Sequence, residues 1–289
     1  MPQAAGRRYT EAMEAPQHET RPEPEVPPPA LGIFDRINNY VLLFYAAACL
    51  LMNYSLAGLL YYKSMVMMSL WLPGILSILA PFYLLSQRSS LGFAREFQLT
   101  APGLRNLCLA VIMTGAAIVP LDAFSGIFER MWPPDADYTS FIISIKPKGP
   151  FSFFALSLGL VVAAALTEEL LFRGFIQRIF ERNMSGPLAI VLAGLLFGLS
   201  HFNPPALPGI SLLGMLFGYL AYATRNLWYP IAGHAVFNMV TLIRLDRMTE
   251  DEITSSTVET THWSWIVISA GVLFLAFMSF RRSAGRRPQ

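Results

Sequence analysis

Eight apolar runs dominate this chain, and runs of that kind leave few choices of fold. They cover residues 40–62, 66–85, 104–121, 151–182, 187–201, 210–223, 227–243 and 263–280. A bilayer core about 30 Å thick is crossed by a helix of about 20 apolar residues. The runs therefore predict an all-α fold, a polytopic membrane bundle of about eight transmembrane helices. Only 14% of the residues are charged and 54% are hydrophobic, against about 25% charged in a soluble domain.

Several runs fall short of 20 residues, which predicts helices buried among others. Gly194-x-x-x-Gly198 and Gly214-x-x-x-Gly218 point to close packing of the fifth and sixth. Pro73 and Pro81 predict kinks in the second. Residues 122–150 read as a loop with an interfacial segment at 141–145. The fourth run ends amphipathically, with Phe175, Ile179 and Phe180 opposed to Arg178, Glu181 and Arg182. Residues 1–31 are polar and lack the apolar segment of a secretory signal, so they read as a disordered tail.

With the N-terminus cytoplasmic, Arg88, Arg95, Arg105, Arg178, Arg182, Arg225, Arg281, Arg282, Arg286 and Arg287 all fall inside. Asp246, Glu250, Asp251, Glu252 and Glu259 fall outside. Positive residues favour the cytoplasmic side, so both termini are placed there, in the plasma (inner) membrane. The net charge of +2 shows no nucleic-acid footprint. Cys49 and Cys108 lie in separate runs and read as packing residues.

Thr167-Glu168-Glu169-Leu170-Leu171-Phe172-Arg173 sits inside the fourth run. An ionisable group at the centre of a spanning helix costs roughly 2.5–3.5 kcal/mol. Glu169 and Arg173, four residues apart, share a face and can pair. Glu168 is turned about 100° away and lacks that partner. A bland alternative lets all three groups snorkel to the headgroups.

Of the four histidines, His18 and His262 read as incidental. His201 lies as far beyond the turn at 183–186 as Glu168 lies before it, so the two reach one depth and could hold and deprotonate a water. His234 and Asn238 share a helical face and suit an oxyanion hole. A plain interhelical hydrogen-bonding pair would use the same spacing.

The three motifs in order, EELLFR at 168–173, FGLSH at 197–201 and HAVFN at 234–238, resemble those of the CAAX prenyl protease and bacteriocin-processing family, also called the abortive-infection or type II CAAX protease family. The resemblance covers about 151–244. It implies an eight-helix intramembrane endopeptidase that cleaves a membrane-associated or lipidated peptide or protein. It implies Glu168 as general base assisted by His201, with His234 and Asn238 holding the oxyanion. Glu169 and Arg173 would order the site. The implied organisation is a catalytic core at 151–244, preceded by membrane helices and a loop at 32–150. An acidic loop, last helix and basic tail at 245–289 follow it.

No cofactor is expected, and the partners are the substrate and the bilayer, with no nucleic acid. A zinc peptidase using the same residues is the alternative, although His-Glu-x-x-His is absent. No Gly-x-Gly-Asp is present, and adjacent Ser200 and His201 do not face each other on a helix. A non-enzymatic scaffold or transporter is the other reading.

Overall fold

A computed structural model describes residues 30–255 and 262–284. Most of the predicted tail at 1–31, with His18, and Glu259, Arg286 and Arg287 lie outside the described residues. Helices form every element, with no strand among the described residues. The long ones are α1 (Asn39–Tyr62), α2 (Val66–Ser86), α3 (Leu104–Met131), α4 (Pro150–Asn183), α5 (Gly186–Leu199), α6 (Leu207–Thr224), α7 (Trp228–Arg247) and α8 (Trp263–Ala284).

Six of these eight are long and apolar enough to cross a membrane. The expectation of about eight spans is adjusted at two of them. Helix α7 carries Arg244, Asp246 and Arg247 near its end. Helix α5 stops after 14 residues, about 21 Å at 1.5 Å per residue, well short of a 30 Å core. Local side chains end it. Ser200 Oγ donates to the Phe197 carbonyl at 2.8 Å, and His201 Nδ1 meets the same carbonyl at 2.8 Å. Phe202 then turns left-handed at φ +50°, and Pro204 and Pro205 follow. The chain then turns back as an α5–α6 hairpin. Its helices touch backbone to backbone at Gly194, where a Cβ would lie 2.9 Å from the Met215 amide nitrogen.

Helix α2 is broken as its prolines predict. The backbone leaves the helix at Leu70 and restarts at Leu72 with Pro73 in the first turn, where its missing N–H costs nothing. A π-helical stretch, Ile75–Leu79, precedes Pro81. Helix α3 runs ten residues beyond its predicted end at Leu121. Asp122 marks no boundary there, because its carboxylate takes Arg244 Nη1 of α7 at 2.5 Å. The expected interfacial segment is a helix at Ala136–Ser144, capped by Asp135 accepting from the Tyr138 amide at 2.7 Å.

Both described ends of the chain lie at one end of the bundle. Asn39 donates to Asn183 at 3.1 Å, Ser283 bonds Asn106, and Arg225 pairs with Glu181. That end carries Arg36, Arg88, Arg95, Arg105, Arg178, Arg182, Arg225, Arg281 and Arg282 against Asp35, Glu96 and Glu181. The opposite end carries Lys63, Arg130, Lys146, Lys148, Arg244 and Arg247. Set against these are Asp122, Glu129, Asp135, Asp137, Asp246, Glu250, Asp251 and Glu252. Between the ends, large apolar side chains such as Phe44, Leu51, Val191, Val267 and Leu275 face outwards. A lipid solvent suits that surface and water does not.

Candidate active site

Helix α4 is not a uniform α-helix. Two π-helical stretches, Ser157–Ala164 and Phe172–Ile176, flank a regular segment, Ala165–Leu171, that holds both glutamates. Such stretches loosen the backbone ladder and are frequent at functional sites. One consequence is direct: Asn238 of α7 donates to the Leu160 carbonyl at 2.7 Å and ties α7 to the loosened stretch.

The two glutamates have different surroundings. Glu169 is fully buried. Its Oε1 accepts from Arg173 Nη1 at 2.9 Å and faces His234 Nδ1 at 2.8 Å. Arg173 is buried too, donates to the Gly214 carbonyl at 2.9 Å, and lies over the Phe197 ring at 4.3 Å. Packing and hydrogen bonds hold the buried pair at Glu169 Oε1 and at both terminal nitrogens of Arg173, while Glu169 Oε2 and Arg173 Nε make no hydrogen bond within the protein. Glu168 has no such partner. Its side chain is 31% exposed, and its Oε2, though buried, makes no hydrogen bond within the protein.

What faces Glu168 is a pair of histidine nitrogens. His201 Nε2 stands 4.0 Å from Oε2 and His234 Nε2 stands 3.9 Å from it. The tautomers follow from the partners on the other side of each ring. His201 Nδ1 faces a carbonyl oxygen and His234 Nδ1 faces a carboxylate. Both partners only accept, so Nδ1 carries the proton in each ring and both Nε2 atoms are directed at Glu168. Four ångströms is too long for a direct hydrogen bond. It suits one bridging water, which at about 2.8 Å from each of two such atoms would subtend about 90°.

The structure therefore brings together Glu168, Glu169, Arg173, His201 and His234, with Asn238 one turn further along α7. Tyr54 of α1 was not anticipated from the sequence. Its hydroxyl donates to the Ser200 carbonyl and its ring meets Phe202 edge-on, with centroids 5.1 Å apart. A depth count could have found it. Tyr54 lies 15 residues beyond the start of α1 at Asn39, as Glu168 lies 15 before Asn183. Phe197 also does more than mark a motif. Its ring covers Arg173 and its carbonyl fixes His201.

A cavity of about 610 Å³ opens from Glu168, His201, His234 and Asn238. It runs along α7 past Leu242 and Leu245 to the helices Ala136–Ser144 and Glu250–Ser255. Its volume is that of a ligand pocket. The zinc alternative would use the same three groups. Ligands about 2.0–2.1 Å from a tetrahedral zinc lie about 3.3 Å apart, closer than the 3.9 and 4.0 Å seen here. Among the described residues no group of three or more His, Cys, Asp or Glu side chains is arranged to hold a metal ion. The set does not fit zinc without displacement.

Residues 150–240 match the family model of Rce1-like proteins, described as type II CAAX prenyl endopeptidase Rce1-like. No curated protein and no solved structure matches the chain.

Proposed function

We propose that this multi-pass membrane protein, whose residues 150–240 form a domain of the Rce1-like type II CAAX prenyl endopeptidase family, is an intramembrane endopeptidase of the glutamate type. The observation that carries the reading is Glu168 Oε2, which makes no hydrogen bond within the protein and faces two histidine Nε2 atoms at 3.9 and 4.0 Å.

A water between these groups donates one hydrogen to Glu168 Oε2 and one to His201 Nε2. Its oxygen attacks the scissile carbonyl as Glu168 takes the proton. The tetrahedral oxyanion forms beside α7. Asn238 uses one amide hydrogen on the Leu160 carbonyl and keeps a second for the oxyanion. His234, whose Nε2 faces the same space at 3.9 Å from Glu168 Oε2, donates to the oxyanion from that nitrogen once it carries a proton. Arg173 holds Glu169 in place beside the other nitrogen of that ring. Glu168 then returns its proton to the leaving amine. Water attacks directly, so no acyl-enzyme forms.

The substrate class is a membrane-embedded or membrane-associated peptide or protein, and the site lies within a bilayer. The test is a split between activity and stability. Glu168→Ala and His201→Ala are expected to abolish cleavage with the unfolding midpoint of the purified protein unchanged. Glu169→Ala is expected to lower both. Equal loss of stability from all three would make the cluster structural and overturn the reading.

A further inference from the structure

His201 sits just past the end of a helix, so the way its backbone is held decides where its ring points. Helix α5 ends at Leu199, and the last carbonyls of a helix have no partner within it. Neighbouring groups take most of them. The Leu196 carbonyl accepts from the Ser200 amide at 3.0 Å, the Gly198 carbonyl from the His201 amide at 3.2 Å and the Leu199 carbonyl from the Phe202 amide at 3.2 Å. The Phe197 carbonyl takes Ser200 Oγ and His201 Nδ1. The Ser200 carbonyl is left over. A helix that ran on would serve it from residue 204, but Pro204 carries no N–H. Its donor comes from far away in the chain, the Tyr54 hydroxyl of α1.

The Ser200 carbonyl and the His201 amide belong to one planar peptide unit. Tyr54 holds its oxygen and the Gly198 carbonyl holds its N–H, so both edges of the plane that carries His201 are fixed. On the other side of His201, Phe202 is left-handed at φ +50°, an unfavourable conformation for a residue with a large side chain. The Tyr54 ring packs edge-on against the Phe202 ring, with centroids 5.1 Å apart and planes at 87°. One side chain of α1 thus grips the residue before His201 and the residue after it. The ring between them places Nε2 4.0 Å from Glu168 Oε2.

We infer that Tyr54 is a positioning residue for the reaction, one that sets the direction of His201 Nε2 through the Ser200 carbonyl and the turn at Phe202. The inference rests on the peptidase reading of the site. Tyr54 acts through His201 and takes no part in proton transfer. It lies in α1, outside the matched residues 150–240, so a helix beyond the family domain completes the site. Without the hydroxyl, the bare carbonyl turns its peptide unit towards another donor, and the imidazole moves with it. A misplacement of about 1 Å at a reacting group costs about 10²-fold in rate.

The experiment uses the full chain in lipid bilayers, with only its four histidines labelled with 15N. Solid-state NMR then reads the ring nitrogens, and the His201 signals are assigned by their loss in His201→Gln. Tyr54→Phe keeps the ring against Phe202 and removes only the hydroxyl. The expected result is displaced His201 ring signals with those of His234 unmoved. Unmoved His201 signals would overturn the inference, and an unfolding midpoint that fell alongside them would make Tyr54 merely structural.

A second arm follows how fast the Glu168-dependent peptide N-termini appear in host-cell membranes. Tyr54→Phe at matched abundance is expected to slow them roughly 10–100-fold. Displaced His201 signals with an unchanged rate would overturn the positioning role and leave the peptidase standing. A slower rate with unmoved His201 signals would overturn the route through His201. If wild type yields no Glu168-dependent termini, the peptidase reading falls and takes the catalytic role of Tyr54 with it.

Discussion

Replacing Arg173 by methionine is expected to destabilise the protein by about 4 kcal/mol. The guanidinium is buried, donates to Glu169 Oε1 at 2.9 Å and donates to the Gly214 carbonyl at 2.9 Å. Removing one partner of a buried pair costs about 3–5 kcal/mol, because the other charge stays behind. Stranding a buried carbonyl adds about 1–3 kcal/mol. His234 still faces Glu169 at 2.8 Å and offsets part of the sum. Methionine fills the space between Phe197 and Phe217, so the cavity term is small.

The assay is reversible unfolding of the purified protein in detergent, followed by tryptophan fluorescence. A double variant, Glu169→Leu with Arg173→Met, removes both charges. It is expected to be more stable than the single variant, because the stranded charge is gone and only two neutral groups, a His234 nitrogen and the Gly214 carbonyl, are left without partners. Glu168→Gln, in a partly exposed side chain without protein hydrogen bonds, is expected within about 1 kcal/mol of wild type. An Arg173→Met protein as stable as wild type, or a double variant weaker than the single one, would refute this division of the two glutamates.

Asn238→Ala is expected to lower cleavage about 10²–10³-fold by removing an oxyanion donor, and an unchanged rate would contradict that role. Gly194→Ala places a Cβ 2.6 Å from Met215 Cγ and 2.9 Å from its amide nitrogen. It should cost about 1–3 kcal/mol in the same unfolding assay. Treatment of the purified enzyme with 1,10-phenanthroline should leave the cleavage rate unchanged. A loss restored by added zinc would support the metal reading instead.

The fold was legible wherever apolar length decides it. All eight long helices coincide with predicted runs, because hydropathy alone places a helix in lipid. Errors fall where a polar residue is satisfied by tertiary partners. Asp122 looked like a helix end, yet Arg244 lies 122 residues away in sequence and 2.5 Å away in space. His201 was placed inside α5, but its ring and Ser200 compete for the Phe197 carbonyl and the helix stops first.

Within the site, helical spacing was enough for the Glu169–Arg173 pair, and depth counting was enough for Glu168 beside His201. The spacing of His234 and Asn238 put them on one face of α7. It could not show that Glu169 takes His234 Nδ1, or that the Leu160 carbonyl takes Asn238. Those partners depend on the π-helical stretches of α4, which leave no periodic trace in the residues. Tyr54 was missed because a lone tyrosine in an apolar run carries no signal until its depth is compared with that of the glutamate.

The measurement that tests the central claim most directly compares new peptide N-termini in host-cell membranes carrying either the wild-type protein or Glu168→Ala at matched abundance. The account predicts a set of termini that appears only with wild type and is absent with Glu168→Ala. Identical sets in the two membranes would contradict it.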